Sequence, residues 1–137
     1  MSGWFQQTAN HTRLARAVFD DQHAPQPLRQ AILDANANTG ADTIDFNIPG
    51  SGVHTIQPLS QLPVITDAVV IDGYTQPGAS ANTHAMTDPD PCDNAVLRIV
   101  LDGTILPSGA GLTIESSGCT VRGLQFQHFD NGVAAID

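Results

Sequence analysis

Leu28, Ala31, Ile32 and Ala35 fall at i, i+3, i+4 and i+7, the spacing of one face of an α-helix. Pro27 stands at a first helical position and Gly40 offers a left-handed stop. The pattern predicts a helix over 27–38, about three turns long. After Gly40 the apolar period drops from helical to alternating, with Ile44, Phe46 and Ile48 on one side of an extended segment. Further short apolar runs predict strands at 54–57, 64–65, 68–71, 95–101, 112–115, 120–122, 124–126 and 133–136. Turn residues separate them, and a long loop spans 74–94. Residues 1–26 are polar and irregular apart from a short helix expected over 12–19.

Two of the apolar runs are alike. Val70-Ile71-Asp72-Gly73 and Val100-Leu101-Asp102-Gly103 lie 30 residues apart, and Val121-Arg122-Gly123 follows the second. Short strands with glycine corners at a spacing of about 20–30 residues point to a solenoid. A hairpin sandwich competes with it, and Asn131-Gly132 suits either a hairpin or a solenoid corner.

Composition supports strands over helices. The 137 residues include a single Glu, Glu115, and no Lys, with abundant Asp, Gly and Pro. The net charge is −9 with five Arg in all. Such a chain has no basic face for nucleic acid or anionic lipid, and no run is long enough to insert in a membrane. Met1 to Gln7 lacks the pattern of a secretory signal peptide.

Leu28-Arg29-Gln30-Ala31-Ile32, Ala35 to Asn38, Gly40 to Ile44 and Phe46-Asn47-Ile48-Pro49-Gly50 resemble the start of bacterial right-handed parallel β-helix (pectate-lyase-like) proteins. Many of these carry a Cys-Ser-Leu-Arg-Glu-Ala-type segment there; Gln26, Pro27 and Gln30 depart from it. Ile71 to Ala79 is similar to another segment common in that group. The resemblance covers roughly 27–137. It implies an all-β fold: a right-handed parallel β-helix solenoid of about four coils, with 27–38 as an N-terminal capping helix; residues 1–26, outside the resemblance, are expected to be an irregular arm or cap. It also implies an extracellular or cell-surface location in a bacterium.

The functional expectation is a non-catalytic module acting in self-assembly or adhesion. An open last coil would expose Leu124, Phe126, Val133 and Ile136 as an assembly interface, the partner being a second copy. The alternative is a carbohydrate-active β-helix, a lyase or hydrolase with a polysaccharide partner. The Asn-Thr-Asp, Gly-His-Gly and Arg-Ile-Lys motifs of pectin-cleaving hydrolases are missing, and Arg98 and Arg122 match a lyase base by residue type only. Asp72 and Asp102 read as paired acids or, more simply, as turn formers. Asp88, Asp90 and Asp93 form the candidate calcium site, with calcium as the one cofactor considered. Against it, Asp and Asn beside Pro are ordinary turn formers. Cys92 and Cys119 are either a disulfide or two buried thiols. No histidine pair or Cys-x-x-Cys supports zinc.

Overall fold

The computed structural model describes residues 12–15, 27–85, 87, 89 and 93–135. Among them the chain forms β1 (Thr12–Ala15), α1 (Pro27–Ala37), β2 (Asp42–Phe46), β3 (His54–Ile56), β4 (Val69–Asp72), β5 (Ile99–Asp102), β6 (Ala110–Ile114), β7 (Thr120–Arg122), β8 (Leu124–Gln127) and β9 (Asn131–Ala135). The fold is therefore mostly strands with one α-helix. Three sheets have the orders β1-β2-β4-β7, β3-β5-β8 and β6-β9, and every named pair is parallel. Ile65 joins the third sheet through a parallel bridge to Ile114.

From β2 onward the strands visit the three sheets in turn, with β1 paired on the other side of β2 in the first sheet. A first row holds β2, β3 and Ile65; a second holds β4, β5 and β6; a third holds β7, β8 and β9. Register aligns like with like across the rows. Ile44 pairs with Ile71 and Ile71 with Val121, while Ile56 pairs with Leu101 and Leu101 with Phe126. Leu112 pairs with Val133. Because side chains alternate faces along a strand, this register puts one apolar set on a common inner side. Ile44, Phe46, Ile48, Ile56, Leu62, Ile65, Val69, Ile71, Ile99, Leu101 and Leu112 form one buried core with the inner face of α1. Each such side chain stabilises the fold by about 1.5–3 kcal/mol on burial.

The helix matches its sequence pattern: Leu28, Ala31, Ile32 and Ala35 are all buried in that core. Its polar side chains are tied to the segment that holds Ile65. Arg29 donates from Nη1 to Gln61 O at 2.9 Å and from Nη2 to Ser60 O at 2.8 Å. Asn36 Nδ2 donates to Val64 O at 2.8 Å, and Asn36 Oδ1 accepts from Thr66 N–H at 2.9 Å. One side-chain amide thus serves both backbone groups flanking Ile65, as a neighbouring strand would. Asn36→Ala is expected to cost about 1 kcal/mol, read as a lower urea midpoint at unchanged m-value.

The structure departs from the sequence pattern in several places, among them the run 95–101, where β5 begins only at Ile99. Residues 12–15 are a strand, not the start of a helix, and pair with β2 from Thr12↔Thr43 to Ala15↔Phe46. The edge of β2 decides their conformation, since β pairing overrides weak local preference. The run 64–65 is reduced to the single bridge at Ile65. The alike segments 70–73 and 100–103 do not stack on each other, because β4 and β5 belong to different sheets. Paired residues are instead 27 apart for Asp42↔Val69, 50 for Val70↔Thr120, 45 for His54↔Ile99 and 25 for Ile99↔Leu124. Asn131-Gly132 opens the parallel strand β9 and not a hairpin.

Candidate functional site

The central strands β4 and β5 each end in aspartate followed by glycine. The two carboxylates do the same local work. Asp72 Oδ1 accepts from Tyr74 N–H at 3.0 Å, and Asp102 Oδ1 accepts from Thr104 N–H at 2.9 Å. This is the Asx turn, in which a side chain caps the backbone two residues on. The turn reading of both aspartates therefore holds. Lying on strands of different sheets, they are not ladder partners.

Asp102, 7% exposed, is the more elaborate cluster. Its Oδ1 also accepts from the Thr104 hydroxyl, and His128 Nδ1 lies 2.7 Å away. Its Oδ2 accepts from Gln57 Nε2 at 3.2 Å and from Gln127 Nε2 at 3.4 Å. Gln57, Asp102 and Gln127 follow or end β3, β5 and β8, so one carboxylate links all three rows. Burial pushes its pKa up, but the hydrogen bonds from Thr104, His128 and Gln57 outweigh that and hold it well below the usual carboxylate range. His128 reaches it from a left-handed backbone conformation, φ 59°, uncommon outside glycine.

An aspartate, a histidine and a hydroxyl suggest nucleophilic catalysis, but the geometry is wrong for it. In a catalytic triad the hydroxyl sits on the imidazole nitrogen opposite the carboxylate. Here Thr104 Oγ1 bonds the carboxylate itself and lies 3.1 Å from the same Nδ1. A carboxylate with both oxygens occupied and a depressed pKa is a clamp, not a proton carrier.

The first sheet carries a second row of charge. Asp45 is in register with Asp72, and Asp72 with Arg122. Arg122 Nη2 donates to Asp72 Oδ2 at 2.7 Å, and this bond and charge hold the guanidinium more firmly protonated. Burial, and then the charge of Asp72, push Asp45 up. The two aspartates Asp45 and Asp102 therefore act oppositely on stability. Asp102, depressed in the folded state, stabilises above its unfolded value near 4 and loses that contribution as pH falls. Asp45, raised in the folded state, favours folding while protonated and opposes it once pH rises past that value. Asp45→Asn is expected to raise the thermal midpoint at pH 7 and leave it unchanged at pH 3; equal shifts at both pH values would exclude this origin.

The segment 72–76 joins the first two rows by side chains that the apolar pattern does not reveal. Thr75 Oγ1 accepts from Phe46 N–H at 2.7 Å and donates to Asp72 O at 2.6 Å. Gln76 is 1% exposed; its Oε1 accepts from Ile48 N–H at 2.8 Å and its Nε2 donates to Ile48 O at 3.0 Å. The signal for these residues lay in the segment Ile71 to Ala79 as a unit, not in any periodicity.

The remaining sequence candidates disperse. Asp93 Oδ1 accepts from Ala95 N–H at 2.8 Å, an Asx turn of the loop; Asp88 and Asp90 lie outside the described residues. Among the described residues no group of three or more His, Cys, Asp or Glu is arranged to hold a metal ion. Cys119 is a free thiol whose Sγ donates to Asp67 O at 3.6 Å; Cys92 lies outside the described residues. Arg98 Nε donates to Gly78 O at 3.3 Å at the base of the loop. Leu124 and Phe126 are half-buried against the core, and Val133 is 42% exposed; Ile136 lies outside the described residues. Comparison with protein families, curated proteins and solved structures gives no match.

Proposed function

We propose that the chain is a non-catalytic, right-handed parallel β-helix module of a bacterial extracellular or surface protein, and that it works by self-assembly. In this reading the rows are turns of one solenoid, and right-handedness is the general rule for parallel crossovers. One observation carries the functional part. Val133 pairs with Leu112, which is fully buried at 0%, yet Val133 itself is 42% exposed. It occupies an inner position of a row that no described strand covers. Static light scattering of the purified chain at physiological salt tests this: a mass above 14.4 kDa is expected. A mass that stays monomeric at high concentration overturns it.

The carbohydrate-active reading has one feature in its favour, the raised Asp45 in register with the carboxylate of Asp72, since glycoside cleavage uses a pair of carboxyls, the acid with a raised pKa. It is opposed by the occupation of Asp72 by Tyr74 N–H and Arg122. Release of unsaturated products from an acidic polysaccharide with calcium would reverse the preference.

A further inference from the structure

We infer that Asp45 and Asp72 form a pH-sensitive latch in the first sheet, tight when Asp45 is protonated and loosened when it is ionised. Alternation along β2 puts Asp42, Ile44 and Phe46 on the buried side, so Asp45 stands on the outer side, half-buried. β2 and β4 are parallel, with Asp45 and Asp72 in register. Neighbouring strands lie about 4.8 Å apart. Like charges directly opposite each other on such strands push them apart.

The two carboxylates are not equivalent. Asp72 has its charge met: Oδ1 accepts from Tyr74 N–H at 3.0 Å, and Oδ2 accepts from Arg122 Nη2 at 2.7 Å. Arg122 is in register on the far side of Asp72, one strand further from Asp45. The other elements against β2 bring Asp45 no such partner among the described residues. β1 sets Leu14 in register with Asp45 and its one charge, Arg13, in register with Ile44. The charges of α1 are engaged elsewhere, Arg29 with Ser60 O and Gln61 O, and Asp34 with Gln30 Nε2 at 3.0 Å. The turn Gly73–Thr75 also packs on β2, and its Tyr74 carries no positive charge. Burial, and then Asp72, accordingly push the Asp45 carboxyl up. A carboxyl raised in the folded state favours that state while it keeps its proton and opposes it once ionised.

The second sheet has no matching device. Its acid, Asp102, is pushed up by burial, but the hydrogen bonds from Thr104, His128 and Gln57 prevail and hold it well below the usual carboxylate range. That clamp stays ionised in the mild acid that neutralises Asp45. Mild acid therefore tightens the first two rows in the first sheet while leaving the clamp across the second intact, and neutral pH loosens the first sheet alone.

Amide hydrogen exchange at pH 4 and pH 7, corrected for the intrinsic pH dependence of exchange, reads the two sheets separately. In wild type, protection of the β2 and β4 amides relative to those of β3 and β5 is expected to fall about two- to fivefold between pH 4 and pH 7, the range for one charged pair directly opposite across strands. Asp45→Asn is expected to abolish that relative change. So is Asp45→Thr, which removes the charge with a different shape. Equal pH dependence in the two sheets, or a relative change that survives either substitution, would overturn the latch. Relative protection that rises towards pH 7 would overturn it too, since that is the sign of a carboxylate paired with a cation.

Discussion

Gln76→Ala is expected to lower stability by about 3 kcal/mol, roughly 10–15 °C in thermal midpoint for a domain of this size. The Gln76 amide accepts from Ile48 N–H at 2.8 Å and donates to Ile48 C=O at 3.0 Å in a buried setting. Truncation removes both bonds and leaves the two buried backbone groups of Ile48 without this partner. Each unsatisfied buried group costs about 1–3 kcal/mol. Gln76→Glu separates this from simple loss of volume. At pH 7 its carboxylate can accept from Ile48 N–H but only repel Ile48 O, so it is expected to be as harmful as alanine. Protonated, it can donate to Ile48 O and restore the pair. Thermal melts should therefore show Gln76→Glu gaining on Gln76→Ala as pH falls. Parallel behaviour of the two variants would mean that the cost is packing alone.

Gly73→Ala is expected to be more damaging still, at about 4 kcal/mol or beyond, in the range reserved for severe core lesions. Gly73 follows Asp72 and Gly123 follows its register partner Arg122, so the two glycines meet where the rows turn. A Cβ at Gly73 would lie 2.1 Å from Gly123 O and 2.6 Å from Gly123 C. Both are backbone atoms, and relief requires the second and third rows to part. Gly52→Ala is the matched comparison. Gly52 has φ +88° and open space around it, so only the backbone penalty of about 1–2 kcal/mol applies. Equilibrium unfolding of the two variants should differ by at least 2 kcal/mol; similar losses would mean that the rows yield easily at Gly73.

Much of the architecture was legible because it rests on periodicity. The spacing of Leu28, Ala31, Ile32 and Ala35 predicts α1 to within one residue at its end, and β7 at Thr120–Arg122 is predicted in full. Alternation at Ile44 and Phe46 gives the inner face of β2. Register was not legible. The likeness of 70–73 to 100–103 reflects the same Asx turn made twice, at Asp72 and Asp102, and a shared turn says nothing about which strands bond. Thr12 to Ala15 failed for the related reason that an edge offered by β2 outweighs local preference. The clamp around Asp102 and the amides of Asn36 and Gln76 were not legible from the apolar pattern, because a polar side chain adds nothing to that period whether it stands on helix, strand end or loop. Their meaning comes from partners 26, 28, 30 and 45 residues away.

The segment between β4 and β5 has a kinetic consequence. It places the partners in β3 and β5 45 residues apart, whereas Ala110 and Asn131, which pair β6 with β9, are only 21 apart. Loop closure entropy grows with the logarithm of span, and this difference favours the shorter closure by about 0.7 kcal/mol. Early in folding, then, the second and third sheets favour pairing of their second and third rows, whereas in the first sheet the order is reversed, with Asp42 and Val69 27 apart and Val70 and Thr120 50 apart. The first sheet thus favours early contact between its first and second rows, while the other two sheets favour early contact between their second and third.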